Sequence, residues 1–281
     1  MSKNILLIDD DRIFLKYLTR QLEAAGHKVS SAEDGISALN MLTITTPEII
    51  FIDLILPKID GDKLCRTIRK MEHLNDSYLV VVSAVVAEIE NDFADIGADS
   101  YIAKGPFAEV AKHVLGAVEA SDAPRTEDQP GPVLGLESVS PRQLTRELLS
   151  RNRHLKTILE SMAEGILEVI DGKTVYANSA AIALFGRPHE KILAAYPPDL
   201  FADSARDRVD ALMKPAAAGP TEIGEKQPIE LGGRHVTVKY LPVDIETATS
   251  IILIEDVTER KRLEMQLQHS QKMEAIGTIA S

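Results

Sequence analysis

Residues 49–61 read IIFIDLILPKIDG: four apolar residues, an aspartate, and a turn carrying proline and glycine. Apolar residues bunched over four positions suit a strand covered on both faces, as in a parallel sheet. Asp53 then falls at the carboxyl end of that strand. Working outward, similar runs occur at 5–8, 28–31 (weaker), 78–82 and 101–103. They alternate with helix-period segments at 13–25, 35–42, 62–71, 88–96 and 107–118. Five strand–helix units joined by right-handed crossovers predict a doubly wound α/β domain over residues 1–120, with a five-stranded parallel sheet between helical layers.

In such sheets chemistry collects at the carboxyl ends of the strands, near the reversal in strand order. Asp9 and Asp10 close the first run, Asp53 the third and Ser83 the fourth, and Lys104 follows the fifth. Any one aspartate could simply cap the next helix. Five residues at matching strand ends form a candidate site of three carboxylates, a hydroxyl and an ammonium. Clustered carboxylates repel unless a cation joins them. An all-oxygen donor set points to Mg²⁺, which keeps waters and favours a phosphate partner.

The Asp9-Asp10 pair, DLILPKIDG, SA at 83–84 and YIAKGPF at 101–107 follow one another in an order that resembles a two-component receiver domain, a flavodoxin-like fold. The resemblance implies that Asp53 takes a phosphoryl group from a phosphohistidine on a partner kinase or phosphotransfer protein. It further implies that Asp10, Asp53 and the backbone carbonyl of Ile55 hold Mg²⁺, with Asp9 acting through water. By the same resemblance Lys104 pairs with the phosphoryl oxygens, Ser83 bonds one of them, and Tyr101 reorients when Ser83 moves. Tyr101 can also be read as an aromatic packed at a strand edge. In the family a proline usually follows the lysine directly, often through a cis bond. Here Gly105 intervenes before Pro106, which leaves the bond's isomer open and loosens the turn.

Residues 121–140 are rich in Pro, Gly and charge, and are expected to be a flexible linker. A coupling helix is expected over 141–163, with Ser140 as N-cap and Pro141 at its first position. Leu144, Leu148, Leu155, Ile158 and Met162 make a short heptad-like seam, readable as a dimer helix or as an ordinary surface helix. Residues 155–258 then give two short strands around Asp171-Gly172, a hairpin signal. A helix capped by Asn178 follows and ends near Gly186. Helical segments at 188–195 and 204–213 lead to strand runs at 227–231, 235–242 and 250–256. That order predicts an α+β domain with an antiparallel sheet.

EGI at 164–166, NSA at 178–180, LFG at 184–186 and the closing DVTER at 256–260 resemble a PAS domain. The resemblance implies that Asp256 and Thr258 brace the exit helix, with Arg260 an ion-pair partner; both Asp256 and Thr258 also suit plain helix capping. The PAS ligand is unknown or absent. A flavin adduct needs a cysteine here, yet the only one is Cys65. His189 and His235 could in principle ligate haem, although structural histidines are commoner.

Residues 259–281 carry Leu263, Leu267, Ser270, Met273 and Ile276 along one side, as in a helix that pairs with a copy of itself. QKMEAIGTIAS at 271–281 resembles the start of the dimerisation helix of sensor histidine kinases, before its phosphorylatable histidine. None of the seven histidines fits that position, and no ATP-lid segment occurs. The expectation is therefore the input half of a hybrid sensor histidine kinase, truncated before its kinase core and not a self-standing kinase. The alternatives are a non-catalytic dimeric response-regulator adaptor, or a small-molecule-binding PAS module with a vestigial receiver.

Composition narrows the partners. The 281 residues carry a net charge of −12, and residues 1–120 hold 12 Lys/Arg against 19 Asp/Glu, a net of −7. No basic patch appears, which argues against nucleic acid. One cysteine excludes an internal disulfide and fits a reducing compartment. The start MSKNILLIDDDR turns acidic too soon for a signal peptide, and no run reaches a membrane span of about 18 apolar residues. A cytoplasmic homodimer is expected.

Overall fold

Strand β3 (Ile49–Ile52) is buried at all four positions and lies inside a parallel sheet. The computed structural model describes residues 2–86, 96–122, 133–136, 154–214, 221–244 and 247–267. The chain divides into two compact units, residues 1–154 and 155–281.

In the first unit β1 (Asn4–Ile8), β2 (Lys28–Ala32), β3, β4 (Tyr78–Ser83), β5 (Ser100–Ala103) and β6 (Val133–Leu134) form one parallel sheet in the order β2-β1-β3-β4-β5-β6. Helices α1 (Arg12–Ala24), α2 (Gly35–Leu42), α3 (Gly61–Ile68) and α4 (Phe107–Ala120) alternate with the strands. Alternate strand residues Ile5, Leu7, Ile49, Phe51, Val80, Val82 and Ile102 join the apolar stripes of α1 and α4 in one core. Their neighbours Leu6, Ile8, Ile50, Ile52 and Val81 are buried as well, so both sheet faces are covered, as an all-parallel sheet requires. Asp11 starts α1 by accepting from the Ile13 and Phe14 N–H groups, and Asp34 starts α2 by accepting from Ser37. The helix expected over 88–96 lies almost wholly outside the described residues.

The sheet has six strands where five were expected. Val133 and Leu134 belong to the expected linker, yet they pair with Tyr101 and Ile102 of β5. Two apolar residues are too few to register as a period. Their partner strand is buried throughout, and its unpaired backbone groups would otherwise form an open edge. Residues 123–132 and 137–140 of that linker, and 141–153 of the expected coupling helix, lie outside the described residues.

In the second unit β7 (Gly165–Ile170), β8 (Lys173–Ala177), β10 (Ile229–Leu231), β11 (Arg234–Asp244) and β12 (Thr249–Asp256) form an antiparallel sheet ordered β10-β11-β12-β7-β8. Strand β9 (Thr221–Ile223), too short to announce itself in the sequence, adds to β11 beside β10. Residues 154–161 form helix α5, and α6 (Ser179–Phe185), α7 (His189–Ile192) and α8 (Asp203–Met213) cross the sheet's apolar face. Asp171 and Gly172 turn the β7–β8 hairpin with φ of 51° and 72°, the left-handed pair that a two-residue loop needs. Gly186 ends α6 at φ 58°. Helix α9 (258–267) leaves the sheet after β12, and residues 268–281, including the kinase-like segment, lie outside the described residues.

Candidate functional site

The strand order reverses between β1 and β3, and backbone bonds beyond the strands carry the site residues into register there. Asp9 N–H donates to Ala32 O, Asp53 N–H to Ile8 O, and Lys104 N–H to Ser83 O, at 3.1, 2.9 and 3.1 Å. Asp9, Asp10 and Asp53 each place a carboxylate oxygen within 4.8 Å of the others. Asp9 and Asp53 are buried, at 3% and 6% exposure, and Asp10 is exposed. Lys104 Nζ reaches Asp9 Oδ2 at 2.7 Å and also contacts Asp53 Oδ2. The Asp9 and Asp53 carboxylates further accept from the N–H groups of Asp11 (3.0 Å) and Ile55 (3.1 Å).

Burial, with the neighbouring Asp53 charge, pushes Asp9 up to about 6 against the pull of Lys104. The same two carboxylates hold Lys104 above its usual value despite the burial of its ammonium. The residues present therefore fit a divalent cation: an all-oxygen set carries more negative charge than one ammonium balances. Ser83 is completely buried, and its hydroxyl has no hydrogen-bond partner among the described residues. A buried hydroxyl left unbonded is costly unless a ligand completes it.

Tyr101 is fully buried on β5. Val81 pairs with Tyr101 and Ser83 with Ala103, which makes Ser83 and Tyr101 diagonal neighbours on one face. Burial pushes the Tyr101 hydroxyl up to about 12. The Gly105–Pro106 bond is trans. Cys65 is buried with its thiol likewise pushed to about 12, so it is inert.

Three contributors do not stand out in the sequence. Gly61 approaches so closely that a Cβ there would lie 1.9 Å from the Asp53 carbonyl oxygen. Lys58, at φ 71°, reaches back to Asp34 at 3.2 Å and ties the turn after β3 to the start of α2. Phe14 lies under Lys104, with Nζ 4.9 Å from the ring centroid, and packs edge-on against Phe107. The DG pair at 60–61 is a local signal for the first; nothing local marks the other two.

In the second unit the predicted residues act as braces. Thr258 Oγ1 accepts from His235 N–H at 2.8 Å, and Asp256 Oδ1 accepts from Thr258 N–H at 2.9 Å. Asp256 pairs with Arg234 at 3.2 Å, whereas Arg260 reaches Glu225 at 2.6 Å and Glu255 at 3.3 Å. His235 sits on β11 and His189 begins α7. An open depression of about 300 Å³ on this unit carries four glutamates, at 164, 222, 225 and 255, beside Lys239.

Comparison with known proteins agrees with both halves. Residues 5–114 match the response regulator receiver domain and residues 159–262 match a PAS fold. The chain thus carries a response regulator receiver domain followed by a PAS fold. The receiver is 36% identical over 110 residues to the response regulator MprA of Mycobacterium bovis, covering 38% of this chain and 46% of that protein. MprA of Mycobacterium ulcerans matches equally, at 36% over the same length and shares. The chain spans about half the length of the curated relatives it matches. Among solved structures, the phosphorylated cyanobacterial phytochrome response regulator RcpA aligns at 24% identity and a TM-score of 0.40, over 46% of this chain and all of that one. TrrA of Thermotoga maritima, solved with Mg²⁺ and BeF, aligns at 26% and 0.36, over 41% and 98%. Receiver domains serve phosphorelay signalling through a phosphotransfer partner. No helix among the described residues is long and apolar enough to cross a membrane.

Proposed function

We propose that Asp53 accepts a phosphoryl group from a phosphohistidine on a partner protein, and that receiver and PAS fold together regulate a histidine kinase core. The observation that carries the first part is the buried Asp53 carboxylate in contact with Lys104, grouped with Asp9 and Asp10 and near the unpartnered Ser83 hydroxyl. An Asp53 oxygen attacks phosphorus in line; the P–O bond forms as the P–N bond breaks, and the electron pair leaves with the imidazole nitrogen. Lys104, already bridging Asp9 and Asp53, follows the charge onto the phosphoryl oxygens. Ser83 donates its unbonded hydroxyl to one of them, and its movement reaches Tyr101. Mg²⁺, held by Asp10, Asp53 and the Ile55 carbonyl with Asp9 through water, would neutralise charge on the transferring group. The exposed side chains of Ile13, Ile55 and Phe107, close in sequence to the site residues, offer the apolar contact a protein donor needs.

The regulatory part draws on the kinase-like segment 271–281. It also draws on exposed apolar side chains at the helices before and after the PAS sheet: Leu155 and Ile158 on α5 with Met162 just past its end, and Leu263 and Leu267 on α9. Their exposure suits a homodimer built through those helices.

Incubation with acetyl phosphate and Mg²⁺, followed by intact-mass measurement, tests the central step. Wild type should gain one phosphoryl group, and Asp53→Asn none. Lys104→Ala should be slower by about 10²-fold, the usual effect of removing one electrostatic stabiliser. A chain that takes up no phosphoryl group, or takes it up equally as Asp53→Asn, sinks the proposal.

A further inference from the structure

The chain does not leave the receiver where its last helix ends. Helix α4 starts three residues after Lys104 and runs to the far end of the sheet. There Lys3, just before β1, pins its end by donating to Ser121 Oγ at 2.5 Å and Asp122 Oδ1 at 2.6 Å. After residues 123–132 the chain returns as β6, parallel to β5, so Gly135 and Leu136 emerge at the carboxyl end that holds Asp9, Asp53 and Lys104. Val133 pairs with Tyr101 and Leu134 with Ile102, and Leu134 packs on the α1–α4 core. Gly135 is buried at φ 80°, and a Cβ there would lie 3.3 Å from both the Ala103 carbonyl oxygen and the His113 ring. Ala103 directly precedes Lys104.

We propose that residues 133–136 are a strap on β5 that loosens when Asp53 is phosphorylated, carrying the state of the site into the connection toward the PAS fold. The proposal rests on the phosphoryl-acceptor reading of Asp53. The strap is two ladder pairs long, the shortest strand in the sheet, and short peripheral elements open more readily than the core beneath them. Its fit is set with Lys104 bridging Asp9 and Asp53. A phosphoryl group brings nearly two negative charges, which draw Lys104 and Ser83 toward it. Ala103 moves with Lys104, and Gly135, which has little room for even a Cβ beside the Ala103 carbonyl, loses its seat.

Hydrogen exchange read by mass spectrometry on the full chain tests the strap, with acetyl phosphate and Mg²⁺ present or absent and intact mass recorded on the same samples. Phosphorylated protein should exchange its amides at 133–136 and 100–103 about five-fold faster or more, the usual floor of allosteric coupling. Asp53→Asn should show no change. Coupling is reciprocal, so Leu134→Asp and Gly135→Val, which break the strap from the other side, should bind beryllofluoride with Mg²⁺ more tightly by a similar factor. Phosphorylated protein with unchanged or slower exchange at 133–136 overturns the strap alone, as do strap variants that bind beryllofluoride like wild type. A chain that never acquires the phosphoryl group overturns the reading of Asp53, and the strap with it. Should the strap variants fail to fold, the wild-type exchange comparison decides the matter by itself.

Discussion

Both units bury polar side chains, and Asn178 of the PAS fold stands opposite in its bonding to the Asp9, Asp53 and Ser83 cluster of the receiver. In the PAS fold Asn178 is completely buried with its amide fully used. Its Oδ1 accepts from Ile166 and Ala181, and its Nδ2 donates to the carbonyls of Leu159 and Glu164. It ties α5, β7 and α6 together and has nothing left to offer a ligand. In the receiver two buried carboxylates share one ammonium, and a buried hydroxyl has no partner among the described residues. Thr174 of the PAS fold also has an unbonded buried hydroxyl, but the only acidic group placed for a metal among the described residues is Asp9, Asp10 and Asp53. A brace is a polar group whose bonding is complete, whereas a site is a cluster whose bonding waits for something to arrive.

The sharpest way to break this contrast is through the backbone of each unit. Gly61→Val should be the most damaging change: its Cβ would meet the Asp53 carbonyl oxygen at 1.9 Å and Leu54 Cα at 2.7 Å, atoms that cannot swing aside. We expect a loss of about 3 kcal/mol or more by urea denaturation, and no phosphoryl uptake by any folded fraction. Gly186→Ala in the PAS fold has open space around its Cβ and pays only for its left-handed backbone, about 1 kcal/mol. Equal losses at the two glycines would refute the close approach at Asp53. Asn178→Ala should rank just below Gly61→Val at about 3 kcal/mol, since it strands the buried N–H groups of Ile166 and Ala181 and two partly buried carbonyls. Exchange protection should fall across 165–170 while phosphoryl uptake stays at the wild-type rate.

The same contrast explains which features are legible in the sequence. The acidic residues, Ser83 and Lys104 can be placed from the amino-acid order alone because a doubly wound sheet sends every strand end to one face. Residues 49–61 by themselves supply the strand, the carboxylate and the turn. The sixth strand could not be read, because Val133 and Leu134 are strand only through the open edge of β5. Gly61 is visible as half of a turn signal, but its contact with the Asp53 backbone exists only once α3 is docked. In the PAS fold the hairpin at Asp171-Gly172 and the Asn178 cap are local and therefore legible. The partners of Arg260 are not, since Glu225 lies 35 residues away on a segment that the fold alone brings near. Phe14 beneath Lys104 is of the same non-local kind.

Titration of Asp9 sharpens the contrast further. Its folded value of about 6 lies above that of an unfolded aspartate, about 3.9. The folded state therefore favours the protonated form, and that stabilisation is complete below pH about 4 and lost as pH rises through about 6. Metal-free protein should lose about 2–3 kcal/mol across that window. Asp9→Asn can keep the bond from Asp11 N–H while removing the charge, so it should flatten the profile and raise stability at pH 7 by about 2 kcal/mol. Denaturation in EDTA at pH 4 and pH 7 reads both. In wild type, Mg²⁺ should oppose the loss, and its affinity should weaken below pH 6 as protons compete for Asp9. A flat profile for wild type would mean that Asp9 is not strained by its setting.

The smallest effects should come from the exit of the PAS sheet, where two kinds of brace meet. Burial works against the charge on Asp256, but the bonds from Thr258 and the Arg234 guanidinium outweigh it and hold the carboxyl below its usual range. Thr258→Ala removes the acceptor of His235 N–H and should cost about 1 kcal/mol, with Thr258→Ser restoring most of it. Arg260→Ala breaks two ion pairs whose members are about half exposed, so it should change stability by less than about 0.5 kcal/mol. The order of these two matters more than their size. A larger loss at Arg260 than at Thr258 would mean that α9 is held by charge spread over the acidic depression, and that its attachment weakens with salt. A larger loss at Thr258 would mean that α9 is held at its first turn by a neutral hydrogen bond from His235 N–H, which salt leaves unchanged.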